Sequence, residues 1–568
     1  MRLLAAIGLF LLSLALLFVG VAQRTVWAPP SHQTLAVQYD ATNPYVVIPN
    51  ETLSAFSGIP TITIVGPHKT FIASGRDVDV KAWVADSAHT DVAVATKNDV
   101  AKLEVKSVFG TGPLANPEGS DLWRSSASSD KTTALTVENV DGASVLVASD
   151  GFSAAPNKIS IRWPIYYDLT PSNVLLITGG LTLIGAFVMN ILAIRDHKRR
   201  RGPRRKVPRA PQGPKTRRRT SQISAPVRGR RVARRVAHGA AGILVVGLLA
   251  GCTAADPNAS PSASPSEGTV QADPPALVSS QITRILDSVV AAADRGDAKR
   301  KKSLLEDRFV GPALDMRAAH YFLQSKSDKV ADLPKIVNEP VTFSLPAATT
   351  IWPRSVMVVT DEKSSKKLPQ MLVLRQETPR SQYLVNYVVE LMPGAKIPAV
   401  SVPEVGAIPA AIDSVYLKVP PINLPETYGD VIDNGSASTS AGIFNVTQDK
   451  FYQDVSASQK AQIEKLTKGK IKFKHTLGTA KVIALSTTSG GALVAVYMKD
   501  SYIIKPNKVG SAVSVSGSEK LMLGSAGSTR GIRSTYGNMM LFYVPALSDR
   551  ERVRLLGVTQ HLLQVAGL

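Results

Sequence analysis

The sequence predicts a multi-domain, membrane-anchored chain: a β-sandwich-like extracytoplasmic domain, then two tandem α+β domains, each a helix laid on a curved antiparallel sheet. Three observations predict it. Two apolar runs reach bilayer-spanning length, short β-branched runs fill the interval between them, and the order helix-then-strands occurs twice after residue 276. A chain of 568 residues is also too long for a single core, because domains hold about 100–200 residues each.

Leu3 to Ala22 is a twenty-residue apolar run broken only by Ser13. About 20 residues at ~1.5 Å each match a hydrocarbon core of ~30 Å, so residues 1–23 are read as an anchor. A cleaved secretory signal is the alternative, although the run exceeds the usual apolar region of about 7–15 residues. Val174 to Ile194 forms a second run, preceded by Trp163, Tyr166 and Tyr167 and followed by RDHKRRRGPRRK. Aromatics suit the outer interface and arginines the inner side. Residues 173–194 are therefore a transmembrane helix, 24–172 lie outside, and 195–238 form a cytoplasmic linker.

The formal charge of +22 is local: from Arg195 to His238 there are eighteen lysines and arginines against one acid, Asp196. That Pro/Gly/Arg-rich stretch has no apolar periodicity and reads as disordered. A nucleic-acid-binding domain would spread its basic groups over a folded surface, so the composition argues against a nucleic-acid partner. The stretch acts as a topology determinant, compatible with contact to anionic lipid.

Cys252 is the only cysteine, which excludes an intramolecular disulfide and cysteine-rich metal sites. It follows a basic segment, RRVARRVAH, and thirteen apolar or small residues beginning at Gly239, and it precedes TAADPNASPSASPSEG. This arrangement resembles bacterial prolipoproteins, with Leu249, Ala250, Gly251 and Cys252 as the lipobox. The resemblance implies a diacylglyceryl group on the Cys252 thiol, cleavage just before it by lipoprotein-processing enzymes, and residues 253–275 as a tether. Two acyl chains anchor stably where one does not. The alternative reading of 239–252 is a third membrane segment, for which thirteen residues are short. Such signals stand at the N-terminus of the proteins that carry them, so the sequence looks like a two-span membrane protein joined to a lipoprotein, which processing would separate.

Between the first two spans, TITIVG, DVDVKAWVA, DVAVA, KLEVKSV, ALTVENV, SVLVAS and KISIRW are punctuated by Gly, Asn, Asp and Pro, the pattern of a sandwich or barrel. Trp83 and Trp123 are read as buried aromatics. Downstream, Ala276–Ala293 has helical spacing, and PVTFSLP, SVMVVTD, MLVLRQ and YLVNYVVEL read as strands, giving an α+β domain over 276–405. A Pro-rich connection, Met392–Pro425, leads to a second over 406–568: helices around Glu426–Asp433 and Ser458–Thr467, strands from KIKFKHT to NMMLFYVP, and a final helix, Asp549–Val565. Asp294-Arg-Gly296-Asp-Ala298 and Asp433-Asn-Gly435-Ser-Ala437 precede Phe309 and Phe444 respectively, an internal repeat with glycine as helix cap. The element order is similar to the nuclear-transport-factor-like and cystatin-like folds, which fix no function.

No HExxH, paired-histidine, GxSxG, Walker or GxGxxG pattern occurs in a meaningful context, so no metal, no cofactor and no catalytic residue is expected. His320 and His475 read as partly buried polar residues. Ser364–Lys367 has SxxK spacing and Tyr536–Asn538 a YxN triplet, a chance match because no KTG element accompanies them. Ser525, Ser528, Gly429 and Gly435 read as turn chemistry rather than anion nests. The expectation is a non-enzymatic protein of the bacterial cell membrane whose extracytoplasmic domains bind an envelope protein or cell-wall polymer. An envelope enzyme with a pocket in an α+β domain is the alternative.

Overall fold

The computed structural model describes residues 2–28, 30–98, 100–165, 170–200, 273–362, 367–508 and 510–568. They form two units, one of membrane-type helices and one containing residues 30–165 together with 273–568.

The helical unit pairs α1 (Arg2–Ala22) with a second long helix, Thr170–Arg200. Both are long and apolar enough to cross a membrane. They approach closely at two glycines: a Cβ on Gly20 would lie 2.9 Å from Leu176, and one on Gly179 2.9 Å from Leu17. Small residues at such crossings let apolar helices pack without a hydrophobic driving force.

In the second unit, the upstream domain contains β1 (His32–Gln38), β2 (Tyr45–Ile48), α2 (Asn50–Leu53), β3 (Thr61–Arg76), α3 (Asp77–Val84), β4 (Ser87–Lys97), β5 (Val100–Thr111), β6 (Ser125–Thr136), β7 (Ala143–Ala148) and β8 (Lys158–Pro164). The Thr170–Arg200 helix is α4. The strands join in one connected sheet, β1-β8-β3-β7-β2-β4-β5, with β6 also on β3, rather than the two separate sheets of a sandwich. The long β3 makes this possible. Residues 61–65 pair with β8 and 71–76 with β7, and its pairing with β6 breaks at Gly66-Pro67-His68, where proline cannot donate to a ladder. One apolar cluster gathers Ile62, Ile64, Val145 and Ile161, and another gathers Phe71, Trp83, Trp123 and Leu146.

Two expectations are corrected here. DVDVKAWV is the helix α3, not a strand: Asp77 and Asp79 occupy its first turn, favourable to the helix dipole, and Val80, Trp83 and Val84 form its buried face. Its apparent alternation misleads, because Val78 is exposed and Asp79 buried. Trp163 is not an interfacial aromatic; it is fully buried, its indole N–H donates to the Leu53 carbonyl at 2.8 Å, and its ring packs on Phe56. Trp83 and Trp123 are buried, as expected, with ring centroids 5.1 Å apart.

Downstream come α5 (Ser279–Lys299), α6 (Gly311–Lys326), β9 (Val341–Pro346), β10 (Arg354–Thr360), β11 (Gln370–Gln376) and β12 (Leu384–Glu390). There follow α7 (Leu424–Asn434), α8 (Lys450–Lys465), β13 (Gly469–Leu477), β14 (Ile483–Ser486), β15 (Ala492–Pro506), β16 (Val513–Ser514), α9 (Gly517–Leu523), β17 (Gly527–Ser528), β18 (Ile532–Val544) and β19 (Arg554–Gly567). The repeat seen in the sequence has a structural counterpart. Each half runs two helices into an antiparallel meander, β12-β11-β10-β9 and β13-β15-β18-β19. In the first, Val310 N–H donates to the Val385 carbonyl and Val385 N–H to that of Arg308, bracketing Phe309; in the second, Asn445, Val553 and Ile443 repeat both bonds around Phe444. Gly435 caps α7 with φ 54°. Gly296, by contrast, lies inside α5; its side chain is missing because Leu305 packs there, 2.4 Å from where a Cβ would sit.

The expected final helix is the strand β19. Two bulges opposite β18 displace Leu556 and Leu563 from the two-residue alternation, and the resulting pairs Leu555-Leu556 and Leu562-Leu563 repeat at a spacing a helix would also show. One apolar core spans both halves, with Leu493, Tyr497, Met539 and Leu541 packed beside Val356, Leu372 and Val389.

The upstream domain docks on this body through buried charges. Asp79 receives both Arg76 (2.9 Å, twice) and Arg354 (2.7 Å), and Asp121 receives Arg308 at 2.6 Å and the Tyr383 N–H at 2.8 Å. Carbonyls absorb the surplus positive charge, with Arg76 donating to Pro275 and Arg354 to Thr350. Arg380 caps the end of α3 by donating to the Trp83 carbonyl.

Candidate functional site

Where the two downstream halves meet, α6, β11, β12, β18 and β19 line a half-open cavity of about 280 Å³. Its walls are largely apolar, with Ala313 and Met316 from α6, Val388 from β12 and Met539 from β18. Few polar groups reach it. Gln370 is 7% exposed and its Oε1 has no hydrogen-bond partner. Leaving such a group unmatched costs about 1–3 kcal/mol. Glu390 lines the same space, and burial pushes its carboxyl above the usual range. Arg317, the cation in the wall, is already paired with Asp297 and lies over the Phe309 ring at 5.5 Å.

His561 completes the lining, with Nε2 unpartnered. Burial and then the neighbouring His320 push it down to about 4, so it is neutral at physiological pH. The two rings are 5.2 Å apart. Burial also lowers His320, which faces a second cavity of about 380 Å³ carrying Asp294, Asp297 and Asp332.

A polar chain runs from the edge of β13 across the sheet to Gln560 of β19. His475 and Asp500 are opposite one another on β13 and β15, with Nδ1 2.7 Å from the carboxylate, while Nε2 lies 3.1 Å from Asp433 of α7. Burial opposes a charge on His475, but the hydrogen bonds and charges of Asp433 and Asp500 outweigh it and push the imidazole up to about 9. Asp500 can only accept when ionised. Asn538 therefore donates Nδ2 to it at 2.7 Å and turns Oδ1 outward, where Gln560 Nε2 donates at 2.9 Å. Gln560 is exposed on the Asn538 face of β19, whereas Thr559 and His561, its neighbours in the strand, point to the cavity face with Met539. The chain of bonds fixes the direction of both amides.

Residues 273–567, just over half of the chain, match the profile of a domain of unknown function, DUF8094. The chain belongs to the DUF8094 family. No curated protein and no solved structure matches it. The DUF8094 region takes in both α+β halves, hence the cavity and the His475 chain.

Of the residues singled out in the sequence, Leu249, Ala250, Gly251 and Cys252 lie outside the described residues, as does Ser364. Within the DUF8094 region, Asn538 serves the His475 chain and the Tyr536 hydroxyl donates to Glu519 at 3.2 Å, so the YxN triplet belongs to two separate contacts. Ser525 and Ser528 make local turn bonds, to the Gly527 carbonyl and from the Arg530 N–H. Gly429 is a packing glycine, since a Cβ there would sit 2.4 Å from His475 Cβ. His320 and His475 are both buried, but each faces ionisable partners from distant elements. Sequence reading missed Glu390, Gln370, Gln560 and His561. The available signal was a set of polar residues at strand positions flanked by buried apolar ones, as in Lys499-Asp500 within ALVAVYMKDSYIIK.

Proposed function

We propose that this chain is a bacterial cell-envelope protein, tethered by apolar helices and a lipid on Cys252, whose extracytoplasmic domains bind or assemble with an envelope component rather than catalyse a reaction. One observation carries the reading: residues 30–165 and 273–568 form a single body. Parts packed through buried charges occupy one side of a membrane, because the Asp79–Arg354 contact cannot form across a bilayer. Between them lies α4, which is long and apolar enough to cross once. An even number of crossings is then required, and the remaining stretch, 201–272, contains one apolar run, which ends at Cys252. Insertion or translocation of that run brings the chain back. The arginines after α4 support a cytoplasmic turn and a folded body outside.

Processing before Cys252 would divide the chain in two, and the buried Asp79 and Asp121 contacts favour the two pieces staying together. The partners are the bilayer, the lipoprotein-processing enzymes, and an envelope protein or cell-wall polymer held by the DUF8094 region. Intact-protein mass spectrometry of the membrane fraction, comparing the natural chain with Cys252→Ser, tests the tether. Expected are a diacylglyceryl mass on a fragment beginning at Cys252, and its loss in the variant. A single full-length species with a free thiol overturns lipidation, and a reporter near residue 350 that is reachable only in broken cells overturns the topology.

A further inference from the structure

We infer that the cavity between the two DUF8094 halves is a binding site for a small hydrophobic amine, an apolar body carrying an ammonium head. The inference rests on reading this region as a binding module and names the ligand class. The buried side-chain atom left unmatched on the β11 and β12 side of the cavity is an acceptor, with a carboxyl group beside it, whereas Thr559 and His561 of β19 add weaker neutral donors. Gln370 contributes an orphaned Oε1 and Glu390 a carboxyl group. Cationic competition is weak, because Arg317 is neutralised by Asp297 and His561 lacks a charge at neutral pH. The adjoining cavity adds Asp294 and Asp332 against one cation, Lys335, and so leaves a net negative charge. A carboxylate ligand would meet this charge and the acceptors unfavourably. A plain hydrocarbon would leave Gln370 Oε1 buried and unsatisfied. An ammonium group donates up to three hydrogen bonds and supplies a counter-charge to the Glu390 carboxylate, while Met316, Val388 and Met539 cover the apolar part. About 280 Å³ limits that part to the size of a substituted ring or a short branched chain.

Isothermal titration of the full chain in lipid nanodiscs tests this with three probes of matched shape: phenethylamine, 2-phenylethanol and 3-phenylpropionate. Phenethylamine is expected to bind at least tenfold more tightly than the alcohol, and the propionate not at all. Glu390→Gln should remove most of that preference, and Met316→Trp, which fills the cavity, should abolish binding; a thermal melt of each variant confirms that it is folded. Equal binding of amine and alcohol, unchanged by Glu390→Gln, sinks the amine assignment but keeps a ligand pocket. Absence of binding by all three probes to the folded natural chain sinks the site itself. Neither result touches the tether, which is judged by the Cys252→Ser comparison.

Discussion

Arg354 Nη1 lies 2.7 Å from Asp79 Oδ1, a contact between residues 275 apart in sequence and essentially without solvent exposure. It belongs to a buried group in which one carboxylate serves two guanidiniums, and Arg354 also stacks on Trp352 at 3.4 Å. Buried pairs of this kind are weak evidence of net stabilisation, yet removing one partner strands the other, at about 3–5 kcal/mol. The contact therefore specifies how the upstream domain docks.

Asp79→Asn leaves Arg76 and Arg354 without their counter-ion and should lower unfolding stability by roughly 3–5 kcal/mol, read as a lower denaturation midpoint. Arg354→Met in the same background should cost less than it does alone. Strict additivity in that double-mutant cycle would show the pair to be uncoupled.

If the chain is cleaved before Cys252, an affinity tag on the upstream piece should retain the downstream piece after detergent extraction. Retention should persist in about 1 M salt, because buried pairs are screened far less than exposed ones. Asp121→Ala, which abandons Arg308 and the Tyr383 N–H, should release it. Release of the natural pieces at low salt would contradict the docking described above.

His475 gives a pH dependence of definite sign. Its folded value of about 9 lies above the unfolded one. The stabilisation is fully present below about pH 6.5 and is lost as pH rises through about 9, an effect on the order of 3 kcal/mol. Stability should thus decline across that window, and His475→Gln should flatten the profile. A parallel decline in the variant would assign the effect to other groups.

Gly429→Ala should destabilise the second half by about 1–3 kcal/mol, because the added methyl collides with His475, held on its other side by Asp500. Gly442→Ala, where a Cβ meets open space, is the control. Chemical denaturation of both variants decides it.

Local information sufficed for much of the fold. The apolar runs of α1 and α4 are legible because an unbroken apolar run shows directly in the sequence, and α5 because its buried residues recur at helical spacing. Even the duplication showed, through a glycine-containing signature before each of Phe309 and Phe444. The sequence by itself also determined that Cys252 is the single thiol, set behind an apolar run and a basic block.

Only the tertiary structure decided α3, β19 and the site. A four-residue alternation such as DVDV satisfies a strand's period, but Asp79 is buried because Arg76 and Arg354 meet it, and Arg354 arrives from another domain. The leucine pairs of β19 fit a helix until the bulges opposite β18 are known. The cavity draws Gln370, Glu390 and His561 from three strands separated by up to nearly two hundred residues. Periodicity reports what one element buries against its own neighbours. Partners brought together by long-range pairing leave no such period, and the chemistry of this chain is built from them.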